Sequence, residues 1–75
     1  MRVVIAKVDE NLFDGEAVSM TVPGSAGEMT VLSHHEPFIT TLKAGTITVR
    51  ADGEQQFQID SGILEVNSDG ATVIL

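Results

Sequence analysis

Ser33-His34-His35-Glu36 holds the residue types in this sequence best suited to chemistry: the only two histidines stand side by side, a hydroxyl before them and a carboxylate after. Zinc binding would need three or four ligands converging on one point. His34, His35 and Glu36 could offer three, but successive side chains on a strand point to opposite faces, so the pair converges only if a turn carries it. A further ligand has no obvious source, because the chain has no cysteine and no second histidine cluster. Acid–base or nucleophilic chemistry would need a base within hydrogen-bond reach of a nucleophile and a pocket around both. Ser33 lacks the G-x-S-x-G surroundings of a nucleophile elbow. The favoured reading is a loop whose histidines meet backbone or a partner surface, with no catalytic residue, metal or cofactor. The alternative is a small metal-binding protein or metalloenzyme built on His34, His35 and Glu36.

A second candidate is the glycine-rich run Pro23-Gly24-Ser25-Ala26-Gly27-Glu28. A phosphate loop would end in Lys-Ser/Thr and open a helix. This run does neither, and strands flank it, so it reads as an exposed, mobile loop tip able to carry a contact. The third is Pro37-Phe38-Ile39, close to Leu42. Adjacent residues of a strand cannot both face one core, so either Phe38 or Ile39 is expected at a surface unless both faces are covered.

These segments need a scaffold, and its signal is alternation. Val18, Met20 and Val22 interleave with Ser19 and Thr21; Ile47 and Val49 with Thr46, Thr48 and Arg50; Phe57 and Ile59 with Gln56, Gln58 and Asp60. That is the period of half-buried strands. Turn signals separate the runs at Asp14-Gly15, Pro23-Gly24, Ala44-Gly45, Asp52-Gly53, Ser61-Gly62 and Asp69-Gly70. TITVRADGEQQFQID reads as a hairpin closed by a primed Asp-Gly turn, and GILEVNSDGATVIL as another. About eight strands, from Val3–Val8 to Thr72–Leu75, and no helical periodicity predict an all-β sandwich or small barrel.

The 75 residues make a single domain, 1–75, that must be held by its core alone, because the absence of cysteine excludes disulfides. Eleven acids against four bases, a formal charge of −7, repel phosphate backbones and anionic lipid, so nucleic acid is not an expected partner. No apolar run approaches the span of about 20 residues that a membrane helix needs, so no membrane insertion is expected. A carbohydrate-binding module is disfavoured by the absence of Trp and Tyr.

The order of the motifs adds a resemblance. LFDGEAVSMTVPGSAGEMTVLSHHEPFITTLKAGTITV resembles the N-terminal domain of the ε subunit of F-type ATP synthases (δ in mitochondria). Phe13 and Gly15 match the family's F-x-G; Gly24, Gly27 and Glu28 its G-x-x-GE; His35, Pro37, Thr41, Leu42, Lys43 and Gly45 its PGHAPLL-T-x-L-KPG. The closing DSGILEVNSDGATVIL is similar to its SGGILEV…V-TVLA. The resemblance implies a two-sheet antiparallel β-sandwich and a non-catalytic rotor subunit. That subunit binds γ and the ring of c subunits and couples proton translocation to ATP synthesis. It would sit peripherally on the cytoplasmic face of a bacterial inner membrane or, alternatively, on the stromal face of a thylakoid. Carried over by position, Pro23, Gly24, Ser25, Ala26, Gly27, Glu28 and Thr30 would contact the c ring, and His35, Glu36, Pro37, Phe38 and Ile39 would face γ. Ser33 and His34 replace the family's Pro-Gly and Ala44 its second proline, which bears on the γ contact, since glycine permits φ values that histidine does not favour. The family's C-terminal two-helix domain has no counterpart in this sequence, so its inhibitory clamp and ATP site do not carry over; a chain ending at Leu75 would couple without that inhibition.

Overall fold

A computed structural model describes residues 1–34 and 36–75. Nine strands and no helix occur among them: β1 (Arg2–Ala6), β2 (Asn11–Glu16), β3 (Ser19–Gly24), β4 (Gly27–Leu32), β5 (Phe38–Leu42), β6 (Gly45–Arg50), β7 (Glu54–Ile59), β8 (Gly62–Asn67) and β9 (Gly70–Ile74). The hydrogen-bonded path runs β2-β1-β9-β8-β5-β3-β6-β7, with β4 on the free side of β3. β5 meets β3 at one residue pair, Gly24 with Leu42, so two sheets fold about that point: β2-β1-β9-β8-β5 and β4-β3-β6-β7. At the far side the last strands close on each other, the Phe13 ring of β2 standing edge-on to Phe57 of β7 at 6.3 Å between centroids.

Alternation decides what lies between the sheets. Val3, Ile5, Leu64, Val66, Ala71 and Val73 of one meet Met20, Val22, Val31, Ile47 and Val49 of the other in a single apolar core, with no buried polar side chain among the described residues. Burying each large aliphatic side chain contributes about 1.5–3 kcal/mol, and the intervening Thr, Gln, Glu and Arg take the solvent faces. Pairing is antiparallel except between β1 and β9, which run parallel. These strands are the first and last of the chain, so no hairpin dictates their direction. Their join is close: a side chain on Gly70 would collide with the Arg2 carbonyl group.

Three sequence expectations need correction. Val18 does not share the inward face of Met20 and Val22. β3 begins at Ser19, and Val18 lies 68% exposed in the corner where the chain passes between sheets, its N–H donating to the Arg50 carbonyl. The two hairpins are correctly placed, but neither uses a primed Asp-Gly turn, since Asp52 and Asp69 keep negative φ. In the first, Ala51, Asp52 and Gly53 form a three-residue loop in which the Ala51 N–H donates to the Gly53 carbonyl. In the second, Ser68 and Asp69 make the turn, and Asn67 Oδ1 accepts from the N–H groups of Asp69 and Gly70 at 2.9 and 3.1 Å. The third is the tip at Ser25-Ala26, which is tied to Thr41 by hydrogen bonds rather than projecting freely.

Candidate functional site

β3 and β4 form a hairpin from Ser19–Leu32 to Gly24–Gly27, with only Ser25 and Ala26 beyond the last pair. Gly27, at φ 139°, takes a backbone conformation that other residues rarely adopt. Gly24 is needed for closeness: a Cβ there would stand 2.6 Å from the Gly27 carbonyl oxygen. Pro23 and Glu28 oppose each other one step back, and Thr30 lies two residues further along β4, its hydroxyl 3.1 Å from that of Thr21. The run Pro23–Glu28 is exposed at Ser25, Ala26 and Glu28, but it is not a loose projection. The Ser25 N–H donates to the Thr41 carbonyl at 3.0 Å and its hydroxyl reaches the same carbonyl at 3.1 Å and Thr41 Oγ1 at 2.8 Å. On the other side of the turn the Lys43 N–H donates to the Pro23 carbonyl at 2.9 Å.

The histidine segment lies elsewhere. Ser33 and His34 follow β4 in a turn, both exposed, with His34 at φ 64°. His35 falls outside the described residues, and with it the geometry of a His34-His35-Glu36 cluster; among the described residues no three His, Asp or Glu side chains converge as metal ligands. Glu36 and Pro37 are exposed, and β5 then begins. The ambiguity at Phe38-Ile39 resolves by register. Phe38 pairs with Val66 and packs half-buried against the core, while Ile39, paired with Glu65, points outward at 70% exposure. Ile63 and Ile74, a directly opposed pair on β8 and β9, are also half or more exposed.

The two segments therefore stand at opposite ends of β5. Leu42 meets Gly24 at one end, Phe38 begins the strand at the other, and the five residues separate them by about 13 Å at the usual rise per residue. A shallow hollow lined by Phe13, Glu16, Val18, Val49, Asp52 and Glu54 opens between β2 and the β6–β7 turn; its lining holds carboxylates but no histidine or hydroxyl to work with them.

Over residues 1–75 the chain matches the description "ATP synthase, Delta/Epsilon chain, beta-sandwich domain". It belongs to that family. The chain is 41% identical to the ATP synthase epsilon chain of Bordetella petrii and 35% identical to that of Herminiimonas arsenicoxydans, with 99% of it aligned in each case. It spans about half the length of these relatives, 54% and 55%. Among solved structures, a chain of the Euglena gracilis mitochondrial ATP synthase, from an OSCP/F1/c-ring structure, superposes with a TM-score of 0.88 at 26% identity, over 96% of this chain and 48% of that one. A chain of the Tetrahymena thermophila central stalk/c-ring structure superposes with a TM-score of 0.84 over 99% of this chain and 61% of its own; at 13% identity it speaks for the fold alone.

Within the delta/epsilon family frame, sequence reasoning named the β3–β4 tip but missed what holds it. Lys43 was legible only as a match to the family's T-x-L-K motif, in which Thr41, directly before Leu42, holds the variable position. The β3–β5 contact that sets them against Ser25 and Pro23 is a single long-range pair with no local signal.

Proposed function

We propose that this domain is a non-catalytic rotor module of an F-type ATP synthase, set between the c ring and the γ subunit. The observation that carries the reading is the separation of two exposed surfaces on one rigid sandwich, within a family that shares this domain. The β3–β4 tip, with Pro23 to Glu28 and Thr30, faces the c ring, and the segment His35 to Ile39 faces γ. A module that transmits rotation must not deform between its two contacts. A close-packed core with strands running from one contact to the other meets that need. The mixed character of the second surface, with exposed Glu36 and Pro37 beside outward Ile39, fits the rim and core of a protein interface. Catalysis belongs to other subunits in this reading. No helix long and apolar enough to cross a membrane occurs among the described residues, and in this reading the domain's place is peripheral, on the cytoplasmic face of a bacterial membrane.

Reconstitution tests it. Purified γ should capture the chain, and enzyme assembled without it should lose coupling between proton flow and ATP turnover. Coupling that is indifferent to the chain's presence would refute the proposal.

A further inference from the structure

We propose that the ring-facing surface is made of two turns rather than one, with Lys43 as a second charged contact opposite Glu28 and Ser25 as the positioning residue that joins them. This rests on the reading that the β3–β4 tip meets the c ring. The tip and the β5–β6 turn are tied together by two backbone hydrogen bonds, Ser25 to Thr41 and Lys43 to Pro23, and by the Ser25 hydroxyl bridging to both oxygens of Thr41. They are also pressed together: a Cβ on Gly45 would stand 2.8 Å from Cβ of Pro23, so the β5–β6 turn lies flat against the proline. Glu28 pairs with Pro23 from one side and Lys43 bonds it from the other. With neighbouring strands about 4.8 Å apart, the backbones of the two charged residues flank Pro23 at roughly twice that spacing.

Both side chains are exposed, and neither Glu28 nor Lys43 joins an ion pair among the described residues. Arg2 and Arg50, by contrast, are already paired, with Asp14 and Glu54. An acid and a base thus stand unspent on either side of a rigid proline, with the small side chains of Ala26 and Ala44 beside them. The surface fits a polar turn of the partner that brings a basic side chain to Glu28 and a carboxylate or carbonyl oxygen to Lys43. A ring of identical turns would offer both at every step.

The test uses the assembled ATP synthase with single cysteines at Glu28→Cys, Lys43→Cys and, at the opposite end of the sandwich, Ser68→Cys, each labelled with a benzophenone maleimide and photolysed. Products with subunit c from the first two positions and not the third support the two-turn surface. A product from Glu28→Cys without one from Lys43→Cys overturns it and leaves the ring reading standing. No product from either, or equal product from Ser68→Cys, overturns both. The role of Ser25 is read from the ratio of the Lys43→Cys to the Glu28→Cys product. Ser25→Ala should lower it roughly threefold to tenfold, the factor expected for about one neutral hydrogen bond, and Ser25→Thr, which keeps the hydroxyl, should restore it. An unchanged ratio in Ser25→Ala, with the melting temperature also unchanged, overturns the positioning role.

Discussion

His34 stands at φ 64°, where a side chain crowds the backbone and glycine does not. The family motif that this stretch resembles has glycine at the corresponding position, so the chain keeps a positive-φ turn while carrying a residue that disfavours it. Left-handed geometry costs an L-residue about 1–2 kcal/mol, part of which glycine returns through its greater freedom when unfolded; His34→Gly should raise stability by about 0.5–1 kcal/mol. A urea midpoint equal to or below that of the parent would contradict this. Gly70 shows the opposite case. Its lack of a side chain lets the β8–β9 turn lie on the Arg2 backbone, so Gly70→Ala should cost about 2–4 kcal/mol. Chemical denaturation would show the loss, and a neutral result would mean that β1 and β9 can separate without penalty. The resemblance marked His34 as standing in a glycine's place, but its positive φ and the close approach at Gly70 are fixed by the surrounding fold.

At the scale of elements, alternation was a reliable guide wherever a strand had one wet and one dry face. β6 and β7 follow the expected pattern residue by residue: Ile47, Val49 and Ile59 are buried and Phe57 is half-buried, while Arg50, Gln56 and Gln58 are exposed. It failed at Val18, whose parity matches Met20 and Val22 but which precedes the strand they belong to. Leu64 and Leu32 make the contrast testable. Leu64 lies fully buried in a strand paired on both sides, so Leu64→Ala should cost about 2–5 kcal/mol through lost burial and the cavity left behind. Leu32 is 55% exposed at the end of β4, and Leu32→Ala should stay within about 1 kcal/mol. Comparable losses at both sites, measured by thermal unfolding, would show that the inward and outward faces are misassigned. Most turns were legible as positions, though Asp14-Gly15 lies within β2 and pairs with β1 rather than turning; their types were not legible, since the geometry at Asp52 and Asp69 depends on where the flanking ladders stop.

For the whole molecule, the arrangement that matters is two exposed surfaces at opposite ends of one packed sandwich. Ile39 belongs to the second surface and contributes little to the core, so Ile39→Asp should leave folding stability within about 0.5 kcal/mol. In the proposed assembly the same change places a charge in an interface core, and capture by γ should fall about tenfold or more. Undiminished capture would remove Ile39 from the γ-facing surface. The acidic balance of the chain, −7, adds a condition on partners, because any surface that docks on it must tolerate or complement that charge.

The sequence by itself determined the all-β class and most of the inward residues, because these are written in local periodicity, and the order of its motifs carried the resemblance to the family. It also marked Phe38-Ile39 as a pair that must split between core and surface. Only the tertiary structure decided that Ile39 is the outward member, that β1 and β9 run parallel, and that the Pro23–Glu28 tip is clamped to Thr41 and Lys43. Those facts come from pairings between residues distant in the chain, such as Gly24 with Leu42, and neither periodicity nor turn chemistry encodes which strand will lie beside which.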